Sequence, residues 1–230
     1  MDINILEFTE GAIRARGVTV IIDVFRAFTV ACYAFDSGAS RVIAAGEVKD
    51  AFSLKRKYKN SVLVGERDER KVEGFDFGNS PTEMLRADLD GITVIHSTSA
   101  GTCGLINARN ASLVLAAGLV NAGATARYIR SINPEIVSLV AMGYRASTTA
   151  DEDILCARLI ADRLQSGKTS FDEKISELRT GSGKRFFEPA NIEFSPPTDF
   201  FLCTNVDKFD FILKAEKRFD GHVDILKLDI

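Results

Sequence analysis

The sequence predicts an α/β protein, a three-layer α/β/α arrangement around a mainly parallel sheet of about six strands. Three observations carry that expectation. Strand-sized apolar runs alternate with helix-spaced segments six times over roughly the first 165 residues. The first such run, Val18-Thr19-Val20-Ile21-Ile22, is continuously apolar or β-branched, as suits a strand covered on both faces. The composition, 46% hydrophobic and 27% charged over 230 residues, is that of a globular chain able to fill a sizeable core.

The elements follow in order. After the first run ends at Asp23, Phe25–Asp36 has apolar residues at helical spacing and stops at Ser37-Gly38. Arg41–Ala45 is the second strand and Val48–Lys59 an amphipathic helix with Ala51, Leu54 and Tyr58 inward. Ser61–Val64 is the third strand. It enters Gly65–Pro81, a 17-residue connection with three glycines and no sustained apolar periodicity. Connections of that length in a compact domain are usually functional or disordered. Phe75 and Phe77 flanking Asp76 favour a loop packed on one side. Ser80 as N-cap, Pro81 at the first position and Glu83 three residues after the cap start a short helix. Ile92–His96 is the fourth strand and Cys103–Ala108 its helix. Leu113–Ala116 and Asn121–Ser131 form the fifth pair. Ile136–Ala141 is the sixth strand, and Ala150–Ser166 a helix opened by Asp151-Glu152-Asp153, as the helix dipole favours.

From Gly167 the alternation is lost. Phe171–Thr180 is expected as a short helix and Gly181-Ser182-Gly183 as a hinge, with a proline-rich loop from Phe186 to Phe201. Phe200–Thr204 is expected as a short strand or helix start, Lys208–Lys217 as a helix and Val223–Leu228 as a final edge strand. The whole chain, 1–230, is read as one domain. Its tail either packs on the core or makes a subunit contact in a homo-oligomer.

Several function classes are disfavoured. A net charge of -3 argues against a dedicated nucleic-acid binder. No apolar run approaches the roughly 18–20 residues of a membrane span, and the acidic start lacks a signal-peptide pattern. A cytoplasmic protein is expected. Cys32, Cys103, Cys156 and Cys203 are scattered without a CxxC pair, which argues against zinc. Cys103 is the one candidate thiol nucleophile, and only His96 lies near it in sequence. His96 at a strand end reads as a packed histidine.

Ligands in open parallel α/β sheets bind beyond the carboxyl ends of the strands. Here four of six exits deliver polar chemistry: Asp23 with Arg26, Glu66 with Arg67, Ser97–Thr102, and Gly143 leading to Asp151–Asp153. Each has a plain reading as cap, surface ion pair or connection. Their convergence favours metal-assisted work on an anion. Carboxylates without a His/Cys cluster suit Mg2+, and the small-residue turn through Ser97, Thr98, Gly101 and Thr102 suits a phosphate or sulfonate. Arg26 and Arg67 suit bidentate anion binding. The turn lacks GxxxxGK, so it is not a nucleotide-binding loop of that kind.

These motifs resemble those of the 2-phosphosulfolactate phosphatase family. Asp23–Thr29 is similar to its DVxRAxT segment and Gly65-Glu66-Arg67 to its GER turn. Gly74–Pro81, reading GFDFGNSP, matches its GFDxGNSP signature, the most specific piece. Thr98–Thr102 corresponds to its TxxGT turn, Asn121-Ala122 to an NA pair, and Glu152-Asp153 to its ED helix start. The similarity covers about residues 18–165. The resemblance implies an α/β/α, Mg2+-dependent phosphatase that hydrolyses (2R)-2-phospho-3-sulfolactate to sulfolactate and phosphate, a step in coenzyme M biosynthesis. Two departures stand out. Ser99-Ala100 replaces the Thr-Asn common in that turn, and Cys103-Gly104 follows where an arginine is common.

The expected site therefore has Asp23, Arg26, Glu66 and Arg67 as catalytic residues. Asn79, Ser97, Thr98, Gly101, Thr102 and Asn121 are expected to bind a small anionic phosphorylated substrate. Asp23, Glu66, Asp76 and Asp153 are the expected Mg2+ ligands, and the attacking group is a water or a carboxylate, with Asp23 the candidate for the latter. The alternatives are a non-catalytic anion sensor that keeps the pocket, and a lyase or mutase acting on a phosphorylated hydroxy acid.

Overall fold

The structure, a computed structural model, describes residues 1–167 and 169–230. Ten strands form one mixed sheet: β1 (Asp2–Glu7), β2 (Gly17–Ile22), β3 (Arg41–Ala44), β4 (Ser61–Arg67), β5 (Arg70–Lys71), β6 (Thr93–Ser97), β7 (Ala111–Ala117), β8 (Ile136–Ala141), β9 (Phe211–Lys217) and β10 (Val223–Asp229). The helices are α1 (Phe8–Arg14), α2 (Ala27–Asp36), α3 (Val48–Lys57), α4 (Pro81–Arg86), α5 (Gly101–Asn107), α6 (Ala122–Ile132), α7 (Asp151–Leu164), α8 (Asp172–Glu177) and α9 (Pro197–Cys203). The α/β class and the six strand–helix pairs expected from the sequence are present. The sheet is larger than expected, and it is mixed.

The strand order is β1-β8-β2-β7-β9-β10-β3-β6-β4-β5. β1, β8, β2 and β7 form one parallel block, and β3, β6 and β4 another. The hairpin β9–β10 lies between them, antiparallel to β7 on one side and to β3 on the other. This corrects two expectations. Lys208–Lys217 is no helix but mostly β9, and the last strand is central rather than an edge. The edge on that side of the order is β1, which the sequence did not lead us to expect, paired with β8 over Asp2–Glu7. Phe200–Thr204 is resolved in favour of helix, the end of α9. Ser80 caps α4 as expected, accepting from the Glu83 amide at 3.4 Å.

Two antiparallel links and one more between the blocks mean that β2 and β6 run in opposite senses along the ladder. Sheets twist by about 20–25° per strand, so the five steps from β2 to β6 turn the strand direction through roughly 100–125°. The curled inner face wraps α1, α2, α4 and α5. Ile21, Val42, Val64, Val94, Ala116, Val140, Leu213 and Ile225 all point into that central core. The outer face is covered in two parts. Val18, Val20 and Ile22 of β2 pack with α6, α7 and the C-terminal segment. Ile43, Leu63 and Ile95 pack with α3 and Phe75. Alternate residues of β2 therefore serve two cores, which is why that run is apolar throughout. Among the described residues no helix is long and apolar enough to cross a membrane.

Candidate active site

The curl brings the exits of β2, β4, β6 and β8 to one cavity of about 310 Å³. Asp23 and Arg26 come from the β2–α2 turn, Glu66 from the end of β4, Asp68 and Glu69 from the β4–β5 turn, and Asn79 from the GFDFGNSP return. Ser99 and Ala100 come from the start of α5, and Gly143–Arg145, Thr148–Ala150, Glu152 and Asp153 supply much of the β8–α7 wall. Ser182 and Arg185 close the cavity from the C-terminal segment.

Three of its acids are oriented by backbone amides. Asp153 Oδ1 accepts from Val24 N at 2.8 Å and Oδ2 from Gly143 N at 2.9 Å. Glu66 Oε1 accepts from Ser99 N at 2.9 Å and Oε2 from Glu69 N at 2.8 Å. Asp23 Oδ1 accepts from Ala27 N at 3.0 Å, and the Gly101 amide acts on the same carboxylate. Gly101 is required here: a Cβ would fall 2.8 Å from both Asp23 Oδ2 and the Ala27 Cβ. Glu152 is the exception, since its Oε2 is buried and has no partner among the described residues.

These acids raise one another. Burial first, then Glu66 and Glu152, push Asp23 up to about 6, against the pull of the Ala27 amide. Burial first, then Glu152 and Asp23, hold Asp153 well above the usual carboxylate range. Burial also raises Glu152. No three His, Cys, Asp or Glu side chains among the described residues form a ready-made metal cage.

The cavity holds three arginines. Arg26, 2% exposed, uses Nη1 for Asp199 Oδ2 at 2.6 Å and Phe194 O at 2.7 Å. Its Nε and Nη2 edge has no protein acceptor among the described residues. Arg185 reaches Glu69 Oε1 at 2.6 Å and Phe25 O at 2.9 Å, and Arg145 pairs with Asp68. Asp199 is fully buried and also accepts from Ser80 Oγ at 2.8 Å and Thr82 N at 3.0 Å, so α9 fixes both Arg26 and the end of the signature loop.

Of the residues expected from the sequence, Asp23, Arg26, Glu66, Asn79 and Asp153 line the cavity together. Gly101 abuts it through Asp23. The others lie outside its lining. Arg67 reaches Glu66 O at 2.6 Å, Ser97 O at 3.1 Å, Gly46 O at 3.1 Å and Ser97 Oγ at 2.9 Å, clamping the ends of β4 and β6 instead of facing an anion. Thr98 and Thr102 bond each other across the first turn of α5. The turn expected to cradle phosphate thus gives the Ser99 and Gly101 amides to the protein's own carboxylates. Asn121 is fully buried and accepts from Gly118 N at 3.0 Å, shaping the exit of β7. Asp76 is not with the other acids. Its Oδ2 accepts from Leu63 N at 2.7 Å and meets exposed Lys55 at 3.3 Å, because Phe75 and Phe77 turn inward and leave it on the outside.

Arg185, Glu69 and Asp199 were not expected. Arg185 and Glu69 lie 116 positions apart, and no local pattern couples them. Glu152 was visible within the ED motif, where Asp153 alone was assigned. Asn79 Oδ1 bonds His96 Nε2 at 3.1 Å, and burial, with Arg67 nearby, lowers the pKa of His96 to about 4.

The chain is similar to known proteins over most of its length. Residues 4–217 match the family model described as 2-phosphosulpholactate phosphatase. A Bacillus subtilis (strain 168) protein named "Probable 2-phosphosulfolactate phosphatase" is 30% identical over 227 residues, covering 97% of this chain and 96% of its own. A protein of the same name from Caldanaerobacter subterraneus subsp. tengcongensis is 32% identical over 215 residues, covering 86% and 87%. One from Clostridium perfringens (strain SM101 / Type A) is 36% identical over 155 residues, covering 66% and 62%. With the signature loop, the paired acids of α7 and the two sheet blocks all inside the matched span, the chain belongs to the 2-phosphosulfolactate phosphatase family.

Proposed function

We propose that this protein is a Mg2+-dependent phosphatase that hydrolyses 2-phospho-3-sulfolactate, or a closely related phosphorylated 2-hydroxy acid, releasing phosphate. Family membership supports the reaction class. The charge of the cavity is the observation that supports the metal. Its lining has six carboxylates (Asp23, Glu66, Asp68, Glu69, Glu152 and Asp153) against three arginines (Arg26, Arg145 and Arg185), a balance of -3 if all are ionised. A substrate carrying phosphate, sulfonate and carboxylate would be repelled from such a cavity without a bound cation.

The donor set fits Mg2+. It is all oxygen, and Mg2+ is typically held by one or two carboxylates with waters and substrate phosphate oxygens, so a closed protein cage is not needed. Asp23, Glu66 and Asp153 would hold it, their orientation fixed by the amides described above. The unpartnered Glu152 Oε2 adds a further acceptor. Bound there, the ion would neutralise phosphate charge and orient the attacking group.

The chain's own donors complete the chemistry. Arg26 presents its free Nε–Nη2 edge to the equatorial phosphoryl oxygens, where charge shifts during transfer. Asp199 holds that guanidinium in place through Nη1. Asn79, its Oδ1 committed to His96, has its Nδ2 left to donate to an anion. The test is a phosphate-release screen over phosphorylated 2-hydroxy acids with Mg2+ and with EDTA. Release that requires Mg2+ is expected, and binding of these acids without release would point to a sensor instead.

A further inference from the structure

The hydrolytic reading leaves one wall of the cavity without a role. Eight buried side-chain atoms among the described residues lack a hydrogen-bond partner, and three of them, Glu152 Oε2, Ser182 Oγ and Arg185 Nε, belong to this cavity's lining. Buried polar groups are ordinarily paired; Ser182 and Glu152 lie close enough to act on one another, so Arg185 Nε is the atom that most calls for a ligand to complete it.

Two of the three are donors, and both come from the C-terminal segment. Arg185 is rigidly placed. Its neighbour Phe186 is fully buried and meets Phe25 edge-on, with ring centroids 5.0 Å apart. Asn191 Nδ2 donates to the Arg185 carbonyl at 3.1 Å. Nη1 and Nη2 are held by Glu69 and Phe25 O, so the plane of the guanidinium is set and Nε–H is left without an acceptor. Burial opposes the charge of Arg185, but Glu69 and Glu152 outweigh it and keep the group protonated. Ser182, three residues earlier, lines the same cavity with its hydroxyl turned toward Glu152, though without full hydrogen-bond geometry to any partner among the described residues. A fixed cationic N–H beside a hydroxyl suits an anionic oxygen. Glu152, an acceptor, does not itself serve an anion; it lies beside Ser182 and Arg185, and the Arg185 charge offsets its own.

We propose that Ser182 and Arg185 form the subsite for the substrate's non-transferred anionic group, its sulfonate or its carboxylate, and so make the C-terminal segment the specificity element. This rests on the phosphatase reading above and assigns Arg26 to the phosphoryl group and Arg185 to the other end of the molecule.

The test compares kcat/KM on three compounds: 2-phospho-3-sulfolactate, 2-phospholactate, which lacks the sulfonate, and the phosphate ester of 2-hydroxypropane-1-sulfonate, which lacks the carboxylate. Wild type, Arg185→Gln and Ser182→Ala are assayed with Mg2+. One charge-assisted hydrogen bond corresponds to about a ten- to hundredfold change in kcat/KM. Arg185→Gln is expected to lose at least that on the full substrate, mainly through KM, and to lose little further on the compound without the group it reads. Which analogue behaves so identifies sulfonate or carboxylate. Ser182→Ala, which removes one oxygen and disturbs no ion pair, is expected to show a smaller loss with the same pattern. Equal losses on all three compounds for both variants would overturn the subsite. So would a wild type indifferent to the removal of either group. No phosphate release by wild type from any of the three overturns the hydrolytic reading itself, and the subsite with it.

Discussion

Asp23 concentrates the chemistry at the scale of the residue. Its pKa is raised from 3.8 to about 6, so its charged form is disfavoured in the folded protein. A group raised in this way contributes most to stability below its unfolded value, and that contribution is lost as pH rises through 6. At pH 7.5 without a cation, the folded protein therefore carries a penalty of about 3 kcal/mol at this side chain. Asp23→Asn keeps the acceptor for the Ala27 amide and removes the charge. It is expected to raise the urea-unfolding stability of metal-free protein at pH 7.5 by about 1–3 kcal/mol while lowering phosphate release on the order of a thousandfold. An unchanged or lowered stability would mean that burial and the neighbouring acids do not disfavour the charged form as described. His96 works in the opposite sense. Its pKa falls from 6.5 to about 4, so the stability it contributes is complete above 6.5 and is lost as pH drops toward 4. His96→Gln is expected to show a shallower loss of stability than wild type between pH 6.5 and 4, by about 3 kcal/mol over the window. Parallel curves for the two proteins would contradict the assignment.

The element that matters most is the hairpin β9–β10, because both parallel blocks pair with it. Leu213 and Ile225 are fully buried in the central core and lie on its two strands. Leu213→Ala or Ile225→Ala should each cost about 2–5 kcal/mol, as buried large-to-small changes do, measured by chemical denaturation. A cost below 1 kcal/mol would place the hairpin at the periphery. The sequence hid this hairpin for a physical reason. Central strands are ordinarily apolar, yet β9 carries Lys214, Glu216 and Lys217, and β10 carries Asp224. Asp224 is 1% exposed and is tolerated there because Arg41 and Arg218 both bond its carboxylate. By contrast, the runs Val18–Ile22 and Ser61–Val64, and the cap Ser80-Pro81, were legible because their determinants are contiguous. Helix α9 matters through Asp199. Asp199→Ala removes the partner of buried Arg26, and breaking a buried pair costs about 3–5 kcal/mol. A loss of that size, with Arg26-dependent activity falling alongside it, is the expected outcome in thermal unfolding and phosphate-release assays.

At the scale of the whole molecule, the site exists because two oppositely directed blocks are joined by a twisted hairpin. Asp23 and Asp153 come from one block, Glu66 and Asn79 from the other, and the C-terminal segment closes the cavity with Ser182 and Arg185. The sequence revealed the first four of these, since each stands at a strand exit or within a recognisable motif. It could not reveal that Asp76 faces outward, because the two flanking phenylalanines are pinned in different cores, Phe75 against α3 and Phe77 against the central helices. Nor could it show that Arg67 serves the backbone, since that depends on the register of β4 against β6. Arg185 was out of reach because its partners, Glu69 and Phe25, are distant in sequence and meet it only after the sheet has curled.

The central claim is that acids from the two blocks form one Mg2+-dependent hydrolytic site. Its most direct test is phosphate release from 2-phospho-3-sulfolactate by wild type, Asp23→Asn and Glu66→Gln, each with Mg2+ and with EDTA. The account predicts release by wild type that EDTA abolishes and Mg2+ restores, and a loss on the order of a thousandfold in each variant. Full Mg2+-dependent activity in both variants, or wild-type release that EDTA leaves untouched, would contradict it.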